Sequence, residues 1–216
     1  MTKSKIRTAL KVARQALSEA ERHEKSKHIA ERLFCTQEWQ QAATLHSYCS
    51  FGTEVATERI IARAWAEGKN VCVPVIEPTT HEMLSLHVQP ETRFVPDSFG
   101  IPTPQFSQPD KAQSLENILL KSASISASIL DSQTIRASQA VCVLVPLLGF
   151  DVECYRIGYG KGHYDRFFAG FSEALLRNTV KIGCAFQCQC VAELPRETHD
   201  IPLDMIITEE SIYRAW

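Results

Sequence analysis

The 216-residue chain has no apolar run long enough to cross a bilayer. Its longest, residues 140–145 and the flanks of 204–208, fall far short of the ~20 residues a spanning helix requires. Neither charge sign is in excess, with 23 Lys and Arg against 25 Asp and Glu, and no block of like charge occurs. That removes the footprint of a nucleic-acid binder and of a charged tail. No apolar segment follows the Lys- and Arg-rich N-terminus, so it reads as mature protein, expected in the cytoplasm without nucleic acid or membrane as partner. The eight cysteines contain no C-x-x-C pair. Cys184, Cys188 and Cys190 cluster without a second ligand pair at zinc-finger spacing, and the scattered ones read as small core hydrophobes. No internal repeat is visible.

Glycine is scarce too, with nine residues, yet three of them stand at alternate positions in Arg156-Ile157-Gly158-Tyr159-Gly160-Lys161-Gly162-His163-Tyr164-Asp165-Arg166. This stretch follows the apolar run Val141–Val145 and the turn 146–151, and it leads into an amphipathic segment. Glycines free a backbone to approach a ligand closely and turn its N–H groups toward it. Lys161 and Arg156 are the cations a polyphosphate needs, and Asp165 is a carboxylate for the metal that neutralises such a ligand. The spacing matches neither the P-loop nor the dinucleotide fingerprint. A Gly-rich turn with solvated charges is the competing reading, and the pattern alone leaves both open.

Along the rest of the chain, residues 2–17 place Ile6, Leu10, Ala13 and Leu17 on one helical stripe, with Lys3, Arg7, Lys11 and Arg14 on a neighbouring face read as solvated. Ser18 and Glu21 form a capping-box pattern that predicts a second helix to about Phe34. Residues 44–50, 71–76 and 83–88 read as strands, and a helix capped by Thr57 and closed by Gly68 lies between the first two. The order of strand, helix and strand predicts parallel pairing in a three-layer α/β sandwich, with a mostly parallel central sheet and helices on both faces. Ligands then gather beyond the carboxyl ends of the strands, where Glu54 and the glycine loop would share a crevice. After the loop come a helix to about Arg177, a strand at 180–186 and a last strand at 205–208. Residues 107–139, rich in Ser, Ala and Gln, read as a flexible, solvent-exposed excursion within one domain spanning 1–216.

The blocks Val145-Pro146, Gly149-Phe150-Asp151 and 156–166 together resemble the 5-formyltetrahydrofolate cyclo-ligase family, also called methenyltetrahydrofolate synthetases. The likeness continues in Lys3 and Arg7, in Glu54-Val55-x-Thr57 and in Gly100-Ile101-Pro102-x-Pro104. It extends through residues 182–186, Gln189, Leu194-Pro195, His199-Asp200 and Ile207-Thr208. Departures are His163, where an aromatic residue is usual, Tyr159, Thr103 and the length of the 107–139 excursion.

The resemblance implies conversion of 5-formyltetrahydrofolate and MgATP to 5,10-methenyltetrahydrofolate, ADP and phosphate. ATP and a reduced folate are the implied partners, and a monomer is expected with a dimer left open. It implies ATP binding by Lys3, Arg7, Arg156, Ile157, Gly158, Tyr159, Gly160, Lys161, Gly162, His163 and Tyr164. Folate would meet Arg7, Cys49, Glu54, Tyr159, Lys161 and His163, with the backbone of Ser50 and the side chain of Met83 beside them. Asp165 and Asp200 would hold Mg2+, and Lys161 and Arg156 would be the catalytic cations. Two other readings stay open: a sugar-phosphate isomerase or acyl-CoA transferase relative that uses no ATP, and a folate-binding protein without turnover.

Overall fold

A computed structural model describes residues 2–97, 100–105, 112–115, 117–119, 140–197 and 200–215. The helices are α1 (Lys3–Gln15), α2 (Glu19–Phe34), α3 (Gln37–Gln41), α4 (Glu58–Ala66), α5 (His163–Ala169) and α6 (Glu173–Arg177). The strands are β1 (Thr44–His46), β2 (Asn70–Ile76), β3 (Met83–Val88), β4 (Phe94–Pro96), β5 (Pro102–Pro104) and β6 (Val141–Val145). They continue as β7 (Gly149–Phe150), β8 (Arg156–Ile157), β9 (Thr179–Cys184), β10 (Met205–Ile207) and β11 (Ile212–Arg214). Among the described residues no helix is long and apolar enough to cross a membrane.

Seven strands form the main sheet in the order β11-β10-β9-β6-β1-β2-β3. Its interior pairs, from β10 through β2, are parallel, as expected for an α/β sandwich. Both edges run the other way: β3 returns antiparallel along β2, and β11 antiparallel along β10. The sequence pattern had read 83–88 as a strand without fixing its direction. The short 77–82 connection has no room for the crossover a parallel partner requires, so a hairpin forms instead.

The sheet is covered on both faces, and β6 shows why its run is apolar throughout. All five of its residues are buried. Cys142 and Leu144 join a cluster with Ile29 and Leu33 of α2 and Ile60 of α4, while Val141, Val143 and Val145 join another with Phe167 of α5 and Leu175 of α6. A parallel strand with helices on both sides exposes neither row of side chains. Leu115, Ile118 and Leu119 are buried in the second cluster, so this part of the expected exposed excursion belongs to the core. Residues 120–139 lie outside the described residues, as does His199.

Helix α1 packs apart from the sheet, through Ile6 and Leu10 against Leu148, Ile157 and Leu194. Gly149 permits this, because a Cβ there would stand 2.2 Å from a Leu10 methyl. The third buried member of the stripe is Arg14, where the sequence reading had put Arg14 on a solvated face. The capping box of α2 is present, with Ser18 Oγ accepting from Glu21 N and Ser18 N donating to the Glu21 carboxylate. The single helix expected after the glycine loop is two, broken at Gly170 and restarted by Ser172, whose hydroxyl accepts from Leu175 N. Helix α3 and strand β11 had no counterpart in the sequence reading, being five and three residues long.

Candidate functional site

The loop 158–162 leaves a two-stranded ribbon in which Gly149 pairs with Ile157 and Phe150 with Arg156. This ribbon lies between β6 and the loop, which therefore does not follow a strand of the main sheet directly. Gly160 and Gly162 have φ of 92° and 65°, a left-handed region that strains any residue with a side chain. Gly162 then caps α5.

Helix α1 carries the first cations to the loop. Arg7 Nε donates to Gly158 O at 2.9 Å, and the guanidinium passes 3.3 Å from where a Gly160 Cβ would stand. One turn earlier, Lys3 Nζ contacts Asp200 at 3.0 Å and Glu197 at 2.9 Å. These bonds, Glu197 first, raise the Lys3 pKa. Arg156 is paired with Asp165, whose carboxylate is 68% exposed. Lys161 is exposed. The His163 pKa is lowered by burial and then by the charges of Arg166 and Lys161, so its ring stays neutral near pH 7. A cleft of about 490 Å³ opens beside Ile6, bordered by Leu194, Pro195 and Arg196.

Glu54 arrives from the other side, on the loop after β1. That loop is tied down by Thr57, whose hydroxyl donates to Tyr48 O at 2.9 Å and accepts from Ser50 N at 3.2 Å. Phe51 N donates to Glu54 Oε2 at 3.1 Å. Tyr159 Oη, from the glycine loop, donates to Glu54 Oε1 at 2.8 Å. The two places singled out in the sequence thus meet directly. Burial raises the Glu54 pKa, opposed by the bonds from Tyr159 and Phe51 and by the charge of Arg14.

Two further groups of the expected site are shifted by burial. The Tyr164 hydroxyl is buried with no hydrogen-bond partner among the described residues. Its pKa is raised by burial and then by the negative charge of Glu54 and by Cys49. A buried hydroxyl without a partner costs ~1–3 kcal/mol, a debt that a polar ligand atom removes. The Cys49 thiol is pushed up to about 12, chiefly by burial, so it is no nucleophile at neutral pH. Met83 packs against the same cluster as Tyr164.

The residue that sequence reasoning missed is Arg14. Its Nη2 donates to Tyr159 Oη at 2.9 Å and its Nε to Thr53 Oγ1 at 2.9 Å. The signal was available, since Arg14 stands four residues beyond Leu10 and eight beyond Ile6, on the buried stripe itself.

For a divalent ion the donors on the page are Asp165 and Asp200, both hard oxygen ligands. Among the described residues no group of three His, Cys, Asp or Glu side chains stands ready to enclose an ion. Magnesium commonly takes only one or two carboxylates and completes its shell with phosphate and water, so the donor chemistry fits.

A family model described as the 5-formyltetrahydrofolate cyclo-ligase family matches residues 1–209. A 5-formyltetrahydrofolate cyclo-ligase of Haemophilus influenzae is 28% identical over 202 residues, covering 93% of this chain and 94% of the relative. One from Mus musculus is 26% identical over 208 residues, covering 95% and 93%. The solved structure of Aquifex aeolicus 5,10-methenyltetrahydrofolate synthetase superposes with a TM-score of 0.71 at 26% identity, covering all of this chain and 93% of the other.

Proposed function

The chain belongs to the 5-formyltetrahydrofolate cyclo-ligase family, and from that premise we propose how its own residues carry out the cyclisation of 5-formyltetrahydrofolate to 5,10-methenyltetrahydrofolate. A formamide oxygen is a poor leaving group. Transfer of the γ-phosphoryl of ATP to that oxygen converts it into phosphate, with ADP released. N10 then attacks the activated carbon, its proton passes to solvent, and the C–O bond breaks as phosphate departs. No covalent enzyme intermediate is needed, so the protein's work is positioning and charge neutralisation.

The amides of 158–162, with Lys161 and Arg156, hold the triphosphate. Lys3 and Arg7 reach it from α1, and His163 and Tyr164 flank it. Asp165 and Asp200 would hold magnesium, which when bound offsets phosphate charge. Glu54 accepts adjacent pterin N–H groups, as a carboxylate does with two parallel donors. Cys49, Ser50 and Met83 line that end. Arg7, bonded to Gly158, stands between phosphate and folate.

The observation that carries this reading is the 2.8 Å hydrogen bond from Tyr159 to Glu54, which joins the glycine loop to the pterin carboxylate. The test is to mix the protein with 5-formyltetrahydrofolate and MgATP and follow methenyl absorbance. Growth of that absorbance only with both nucleotide and magnesium supports the reading. Folded protein that binds folate but produces no absorbance overturns catalysis in favour of a folate-binding protein. A melting temperature unmoved by MgATP removes the nucleotide from the site.

A further inference from the structure

Arg14 is a nearly buried guanidinium, 6% exposed, and among the described residues no carboxylate lies within ion-pair distance of it. Burying a charge without a counterion is costly, and proteins keep such a charge where its field is used. Its three hydrogen bonds go to neutral oxygens: Thr53 Oγ1, Leu147 O and Tyr159 Oη. The last of these is the one that leads somewhere. The Tyr159 hydroxyl accepts from Arg14 and donates to Glu54, so guanidinium, phenol and carboxylate stand in a line with links of 2.9 and 2.8 Å.

The arrangement differs in its chemistry from a direct salt bridge. An arginine placed on Glu54 would take both carboxylate oxygens with its fork and leave the pterin little to bind. Through the phenol it occupies one lone pair of Oε1, while Phe51 N takes one of Oε2, so each oxygen keeps a further lone pair for a ligand. The phenol is polarised by the cation and donates a stronger hydrogen bond for it. Tyr159 is itself steadied by Lys11 and Arg14, whose charged groups sit 5.7 and 6.0 Å from its ring centroid. The other titratable groups facing this carboxylate are Tyr48 from the strand loop and Tyr164 from α5, both neutral and both pushed upward by burial first. Arg14 is therefore the cation whose charge acts on Glu54.

We propose that Arg14, acting through the Tyr159 hydroxyl, is a positioning residue that holds the Glu54 carboxylate in place as the acceptor for the pterin while leaving its oxygens open to the ligand. This rests on the reading of Glu54 as the pterin acceptor, and it gives Tyr159, which the family resemblance already sets at the folate end, a specific part there.

The experiment compares wild type with Tyr159→Phe, Arg14→Gln and Glu54→Gln, measuring KM for each substrate, the pH dependence of kcat/KM for folate, and the titration of the Glu54 carboxyl carbon by NMR in substrate-free protein. Tyr159→Phe and Arg14→Gln should each raise folate KM by roughly threefold to tenfold with kcat and ATP KM little changed. In both, the acid limb of the folate profile and the carboxyl titration should move to higher pH, because the groups that favour the ionised form are gone. A merely structural role leaves both unmoved. Their double variant should lose less than the product of the single losses, since the two act in series. If Glu54→Gln raises folate KM but the two relay variants shift neither limb nor titration, the relay is overturned and the Glu54 reading stands. If Glu54→Gln leaves folate KM unchanged, both fall. Should Arg14→Gln fail to fold, Tyr159→Phe decides alone, its half-exposed ring being no part of the core.

Discussion

The two ends of the proposed site meet at Tyr159 and are built in opposite ways. At the phosphate end two of the cations already have carboxylate partners: Lys3 with Asp200 and Glu197, and an Arg156 that is 11% exposed with an Asp165 that is 68% exposed. At the folate end a half-buried carboxylate has no direct cation among the described residues and is held by a backbone N–H and a phenol. The contrast follows the ligands. A polyanion needs several charges that rearrange as it arrives, and exposed ion pairs hold together weakly enough to open. A pterin edge is neutral and offers fixed N–H donors, so one preorganised acceptor in a drier place serves it better.

The comparison breaks first at Lys161. Lys161→Ala should lower kcat/KM for ATP by about 10- to 150-fold, the worth of one hydrogen bond to a charged group, while the melting temperature stays near wild type. Unchanged kinetics would remove Lys161 from the phosphate site. Glu54→Gln comes next, with folate KM raised about tenfold and ATP KM unchanged. A fall in ATP affinity instead would mean the two ends are misassigned.

Acidity sharpens the same contrast. Because burial raises the Glu54 pKa above that of a free glutamate, the carboxylate is lost at a higher pH than an ordinary one as acid is added. The folate kcat/KM profile should show that acid limb, and Glu54→Gln should abolish it. The sign for stability is the reverse: the folded state holds this proton more tightly than the unfolded chain, so stability falls as pH rises through the raised pKa. Glu54→Gln should therefore melt no lower than wild type at neutral pH, which thermal denaturation checks. The smallest effect is expected at Lys3. Lys3→Met should cost less than about 1 kcal/mol of stability by denaturant titration, as exposed ion pairs do, and raise KM for ATP several-fold.

Much of the fold could be read from local pattern. The capping box at Ser18, the unbroken apolar run of β6 and the closing Gly68 each specify an element through groups a few residues apart. The antiparallel direction of β3 was left open although its 77–82 connection is too short for a crossover, and α3 and β11 were not legible, because three- to five-residue elements carry too little periodicity. Within the proposed site, the glycine loop was singled out from residue type and spacing, and Glu54 from its place after a strand and from the family resemblance. Their contact was not, and neither was Arg14, whose neighbours Thr53, Leu147 and Tyr159 are distant in the chain.

By itself the sequence determined the family likeness and which groups are proposed to carry the chemistry: three glycines around a lysine, two aspartates, one isolated glutamate and the cations of the first helix. Only the tertiary structure decided how they are wired. Packing of α1 over the β7–β8 ribbon turns Arg14 inward and Arg7 onto the loop, and it lets a tyrosine of the phosphate loop reach the glutamate after β1. Periodicity along a chain fixes which face a side chain takes on its own element, whereas its partner depends on which other element is packed against that face.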